Sequence, residues 1–233
     1  MEMAPEDCFG SENMVQLIKL TKQDRIALIA PHPDDECLGA SAALLTGPDR
    51  TDVFVVSDGS HGDPEKSIED EAVVRKLQFE AEMDYVKPHG WQWLGYEDTK
   101  LAQNMNALDR VDFTVYTKIF MPWINSFHPD HRAVARMCRR VFREQNITAD
   151  CFSYEVRAPF YRPTHYIDIT EIEPEKRKLI RFHEDQLSGG QERITLSLNA
   201  YRGALYCRRS ECAYAEAYLQ VDAWDMADAM PRF

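Results

Sequence analysis

The chain has no run of 18 apolar residues, so no stretch reads as a helix that crosses a bilayer. Its first ten residues carry three acids and no base, and they lack the apolar core of a secretory signal. Basic clusters are missing too. Arg139-Arg140 and Arg208-Arg209 are isolated pairs in a chain of net charge −12, which makes a nucleic-acid backbone an unfavourable partner. There is no Cys-x-x-Cys, no His-Glu-x-x-His and no Gly-x-Gly-x-x-Gly, which removes the usual marks of a thiol-ligated zinc, a zinc protease helix and a dinucleotide loop. Six cysteines are scattered without a paired framework. In a chain of 233 residues, long enough to build its own core, they read as free thiols in a reducing, cytoplasmic setting. No internal repeat, low-complexity tract or linker occurs. Residues 1–24 read as an N-terminal arm or short helix, and 25–233 as a single domain.

What is present centres on Pro31-His32-Pro33-Asp34-Asp35-Glu36. It follows the apolar run 26–30, which reads as a short buried strand. It precedes the small apolar stretch 38–45, which reads as a helix ending at Gly47-Pro48. Further strands are predicted at 53–56, 91–94, 119–123, 151–156 and 164–169, and helices at 67–86, 107–119, 132–143, 173–186 and 195–206. Strands alternate with helices over the first 160 residues. The fold class that follows is α/β: a Rossmann-like, three-layer arrangement of a mostly parallel sheet with helices on both faces.

Three adjacent carboxylates repel one another, and a bound cation relieves that repulsion. A second cluster, His128-Pro129-Asp130-His131, has the same setting between an apolar strand and a helix. In such folds both loops open at the carboxyl ends of the strands, where ligands bind. Six histidines and aspartates can therefore converge there, and imidazole nitrogen with carboxylate oxygen suits zinc held by three protein ligands and water. A lone His-Pro-Asp turn would be an ordinary surface loop with an aspartate capping the next helix. Two of them, each after an apolar strand, favour a metal.

These residues, with Ser57-Asp58-Gly59 and Asp168-Ile169-Thr170, resemble the LmbE-like, or PIG-L, family of zinc-dependent N-deacetylases, in order from about residue 25 to 220. The resemblance implies one zinc per chain, held by His32, Asp35 and His131. It implies removal of an acetyl or related acyl group from a small-molecule amino sugar or amino-sugar conjugate, water attacking the amide with Asp34 as general base. His128 is then the residue that steadies the oxyanion, and Asp130 the acid that holds and charges His128. It also implies substrate contacts from Arg75, Asp98 and His183, with Gln186 beside the last, and a possible homo-oligomer. Three positions depart from the family pattern: Gln78 and Ser126 where acids are usual, and Thr99 where glycine is usual.

Other classes compete. A magnesium phosphohydrolase acting on a sugar phosphate would use the aspartates, but its histidines would be surplus because magnesium prefers oxygen. A catalytically inactive metal- or carbohydrate-binding relative would need neither Asp34 nor His128. A dinucleotide-binding oxidoreductase fits the alternating pattern and fails on the missing glycine loop. Trp91, Trp93 and Trp123 read as core. Phe160, Tyr161 and Tyr166 read as candidates for a sugar-facing surface, and His61 as a neighbour of the metal rather than a ligand.

Overall fold

In the computed structural model residues 15–183, 190–206 and 212–222 are described. The strands in chain order are β1 (Gln16–Leu17), β2 (Ile26–Ala30), β3 (Thr51–Ser57), β4 (Gly90–Tyr96), β5 (Lys118–Pro122), β6 (Asp150–Tyr154), β7 (His165–Asp168) and β8 (Ala215–Val221). They form one sheet in the order β1-β7-β8-β6-β5-β2-β3-β4. β2 to β6 pair in parallel, β8 runs antiparallel to both β6 and β7, and β1 pairs in parallel with β7. The predicted α/β class and mostly parallel sheet are what the chain adopts.

β2 is buried along its whole length, as a central parallel strand covered on both faces must be. Its side chains alternate between two cores. Ile26, Leu28 and Ala30 pack beneath α1 (Asp35–Gly39), α2 (Ser41–Thr46), α3 (Ile68–Val86) and α5 (Glu173–Arg181). Ala27 and Ile29 pack beneath α4 (Pro129–Glu144) and the turns between residues 104 and 116. The last helix, α6, spans Gln191–Tyr206. Among the described residues no helix is long and apolar enough to cross a membrane.

Strand order reverses between β2 and β5, which are neighbours. The loops that leave their carboxyl ends diverge and open a crevice there. This is the feature that positions the site.

Several expectations are corrected. The segment 107–119 is not a helix but a series of turns and a short 3-10 turn, Phe113–Val115, running into β5. Asp112 takes the Thr114 N–H at 3.0 Å, and Thr114, Val115 and Thr117 are β-branched, so the backbone has a local alternative to helix. The helix expected at 38–45 is two, broken at Ala40 (φ −144°). There the Tyr154 ring, anchored by its hydroxyl on the Ile29 carbonyl at 2.9 Å, lies so close to Gly39 that no side chain would fit. β1 and β8 were not foreseen. Cys37, Cys138 and Cys151 are free and buried, but Cys212 is disulfide-bonded, because bridging follows spatial proximity rather than sequence spacing.

Candidate metal and active site

The loops after β2 and β5 bring three imidazoles together. His32 and His128 rings lie 4.7 Å apart between centroids, His32 and His131 5.3 Å, and His128 and His131 5.2 Å. Asp35 Oδ2 stands 3.2 Å from His32 Nδ1 and 3.1 Å from His131 Nε2. His32, Asp35 and His131 are thus in mutual contact, and His32, His128 and His131 also present nitrogens close enough to share one ion. His32 Nε2 is buried without an aligned hydrogen bond, although Asp98 Oδ1 is at 3.2 Å and Asp130 Oδ2 at 3.5 Å. An orphaned imidazole nitrogen among carboxylates and other imidazoles fits a metal of zinc type.

Charge within the cluster is polarised. Burial disfavours a charged His32, yet Asp130, Asp35 and Asp98 outweigh it and lift this histidine well above its usual range. Burial would raise Asp35, but His131 and His32 hold it well below the carboxylate range. Burial likewise works to raise Asp98, and His32 overrides it and lowers this group.

Asp34 differs from its neighbour. Burial pushes its carboxyl up from the ordinary value, with Arg75 opposing. Its backbone sits at φ 138°, a conformation that costs about 1–3 kcal/mol for a residue with a side chain. Three contacts hold it: Arg75 lies 3.1 Å from Asp34 Oδ2, Arg75 also donates to the Pro33 carbonyl, and Glu36 Oε2 accepts the Asp34 N–H at 3.1 Å.

Arg75 was expected on a sugar-facing surface. It lines the cavity but is only 2% exposed, and its contacts within the chain are to Asp34 and the Pro33 carbonyl. Asp98 lines the cavity, gripped by the His61 and Thr99 N–H groups at 3.2 and 2.7 Å. Thr99 has φ +66°, which explains why glycine would suit this position. His183 lies away from the cavity. It is fully buried and absent from the cavity wall, with Nε2 at 2.8 Å from Glu82 Oε2. It sits in the turn that follows α5, its N–H donating to the Ile180 carbonyl at 3.1 Å. Gln186 lies outside the described residues.

Asp130 also departs from its expected role. Its Oδ2 takes the Thr99 N–H at 2.7 Å and faces His32. Its link to His128 is through the backbone: as N-cap of α4, His128 Nδ1 accepts the Asp130 N–H at 3.3 Å. Burial, reinforced by His32 and His131, pushes His128 down to about 4. Ser126 contributes a hydroxyl that accepts the His128 N–H at 3.3 Å. Phe160, a candidate sugar contact, is buried edge-on against Trp123 at 5.2 Å.

Sequence reading missed the layer behind Asp34. Glu36 and Glu82 are both fully buried and in side-chain contact, with His183 on Glu82. The available signal was α3 itself, which buries Glu71, Arg75 and Glu82 at helical spacing on its inner face. Burial pushes Glu36 up from 4.5 to about 7. Between those values the folded chain keeps a proton that the unfolded chain has released. This group's contribution is therefore complete below 4.5 and is lost as pH rises through about 7. Glu36→Gln cannot ionise. We expect the stability of wild type relative to this variant, from urea melts, to fall between pH 4.5 and about 7. A difference independent of pH would contradict the assignment.

The groups open onto a cavity of about 460 Å³. The fold is shared with solved structures. N,N'-diacetylchitobiose deacetylase from Pyrococcus horikoshii matches at 20% identity with a TM-score of 0.73, over 87% of this chain and 85% of that one. The A40926 pseudoaglycone deacetylase Dbv21 matches at 20% identity and 0.62, over 87% and 98%. GalB, the 4-carboxy-2-hydroxymuconate hydratase from Pseudomonas putida KT2440, matches at 14% identity and 0.63, over 84% and 95%. A hydratase on the same scaffold means that fold alone does not choose the reaction. No curated protein sequence matches the chain. Residues 27–142, which span β2 to α4 and with them both histidine loops, match the model of the family described as PIG-L: GlcNAc-PI de-N-acetylase. The chain belongs to the PIG-L, or LmbE-like, family.

Proposed function

We propose that the chain is a zinc-dependent N-deacetylase, removing an acetyl or related acyl group from an amino sugar or its conjugate, with 25–233 as one catalytic domain. One observation carries this reading. A single cavity wall presents three contacting metal-binding groups, His32, Asp35 and His131, beside a second carboxylate, Asp34, that is held apart from them by Arg75. Zinc on those three groups would supply a Lewis acid and lower the pKa of water from ~15.7 toward ~7.

Asp34 then takes the proton from the attacking water and returns it to the departing amine. Its raised basicity suits both halves of that task. His128 has its Nδ1 occupied by the Asp130 N–H, so its own proton sits on Nε2. That N–H donates to the amide oxygen as negative charge develops. One such donor is worth roughly 2.7–4 kcal/mol. It acts as a neutral imidazole, since burial, reinforced by His32 and His131, keeps it uncharged at neutral pH. Asp130 serves by steadying His32 and the Thr99 turn.

The test is amine release from a panel of N-acetylhexosamines, their glycosides and nucleotide-diphosphate forms, with added zinc and with a chelator. We expect release that the chelator abolishes, and loss of bound zinc in His131→Ala. Full turnover in zinc-free protein, or a wild type that binds no zinc, would overturn the proposal.

A further inference from the structure

We propose that Cys37, Glu82 and His183 form a second zinc site, buried behind the catalytic loop and separate from the cavity. Its role is structural, and it does not depend on the deacetylase reading.

The three side chains arrive from three elements. Cys37 lies on α1, Glu82 on α3, and His183 in the turn after α5. The Cys37 sulfur, a Glu82 carboxylate oxygen and a His183 ring nitrogen all lie within 4.8 Å of one another. All three residues are fully buried, and none lines the cavity. Thiolate, carboxylate and imidazole are ordinary ligands of zinc. The sulfur selects zinc over magnesium or calcium, which take oxygen. Among the described residues no other candidate metal group includes a cysteine.

The chain alone does not satisfy the polar atoms gathered here. Glu36 Oε1, Glu82 Oε1 and His183 Nδ1 are buried without a hydrogen-bond partner. Glu36 Oε1 faces the cluster, 3.8 Å from His183 Nε2. The cations closest to these acids are turned elsewhere, Arg75 to Asp34 at 3.1 Å and Lys176 to Glu216 at 2.6 Å. Orphaned buried oxygens are costly to a fold, and a bound cation removes that cost. Zinc with one thiolate, one carboxylate and one neutral imidazole carries no net charge, which suits a fully buried site. The second Glu82 oxygen is free to complete the coordination.

The site adjoins the strained residue of the catalytic loop. Cys37 Sγ donates to the Asp34 carbonyl at 3.2 Å, and Glu36 Oε2 accepts the Asp34 N–H at 3.1 Å. Zinc displaces the thiol proton. The Asp34 carbonyl loses that donor but keeps the Leu38 N–H at 2.9 Å. In exchange the ion ties α1, α3 and the end of α5 together against the backbone that holds Asp34 at φ 138°. A fully buried ion enters as the chain folds and resists a chelator, unlike zinc in an open cavity.

The test uses the full chain, expressed with added zinc and dialysed in its native state against EDTA. Zinc on the cavity ligands should leave. About one zinc per chain should remain and come off only when guanidinium unfolds the protein. X-ray absorption at the zinc edge of the dialysed wild type should show a sulfur neighbour at about 2.3 Å. His32, Asp35 and His131 offer no sulfur, so the signal cannot come from the cavity. His131→Ala should lose only the zinc that EDTA reaches, and Cys37→Ser should lose the sulfur signal. Three results would each overturn the site: a folded wild type that keeps no zinc through dialysis, retained zinc with only nitrogen and oxygen neighbours, or a sulfur signal that survives Cys37→Ser. The first two are read on wild type and stand even where a variant does not fold. Amine release by the dialysed wild type re-supplied with zinc decides the deacetylase reading separately.

Discussion

Asp34→Asn is expected to lower turnover by about 10²–10⁴-fold while the protein keeps its metal. The two adjacent aspartates of the first loop are separated by their surroundings, not by their chemistry. Asp35 is turned into the imidazoles of His32 and His131 and held as an anion. Asp34 is turned to Arg75, and its basicity is raised by burial. Asparagine matches aspartate in size and can still face Arg75, but it cannot accept and return a proton. Metal content and kcat measured on the same preparation separate the two roles. Asp35→Asn should lose metal and activity together; Asp34→Asn should lose activity alone. Undiminished turnover in Asp34→Asn would remove it as the base.

Glu216→Ala is expected to destabilise the fold by about 3–5 kcal/mol, the usual result of leaving a buried charge unpaired. Glu216, on β8, is almost completely buried and takes hydrogen bonds from five groups. They are Lys176 Nζ at 2.6 Å, the Ser41 N–H and hydroxyl at 3.0 and 2.7 Å, the Ala42 N–H at 3.1 Å and the Tyr218 hydroxyl at 2.5 Å. It thereby caps α2 and neutralises Lys176, which is fully buried on α5 and also donates to the Leu38 carbonyl at 2.9 Å. Removing the carboxylate strands the ammonium and two helix N–H groups together. For a chain of this size the loss corresponds to a melting temperature lower by roughly 6–20 °C. The double change Lys176→Met with Glu216→Leu should recover a good part of it, because the uncompensated charge is gone. Thermal melts of the single and double variants decide this. A single variant within 2 °C of wild type would show that Lys176 finds another partner.

The first layer of the site was legible in the sequence because each cluster is contiguous and follows an apolar strand. His32, Asp34 and Asp35 ride on one loop and His128, Asp130 and His131 on another, so finding the two strands was enough to bring them together. The second layer was not legible. Glu36 meets Glu82 from α3 and His183 from the end of α5, and no local pattern announces a contact between distant helices. Arg75 and His183 have the right residue type for a ligand contact, but both are buried, Arg75 at the cavity wall against Asp34 and His183 past the end of α5 against Glu82. The same limit applied to the fold. Ala107, Leu108, Val111, Phe113 and Tyr116 have helix-like spacing, yet they are buried by packing beneath the sheet as turns. β8 carries a glutamate at a core position, and apolar patterning gives no credit to a buried acid.

The place of β8 sets the order in which the sheet can be completed. It is the last of the described strands, yet it lies inside the sheet, between β6 and β7. Until residue 221 is available, β4-β3-β2-β5-β6 can close as a parallel unit around both histidine loops, while β7 and β1 have only each other to pair with. β6 would meanwhile present an open edge, and Lys176 would wait without its carboxylate. β8 is the keystone of this architecture: the half that carries both histidine loops can pair without it, and the far half is locked to that half only through it.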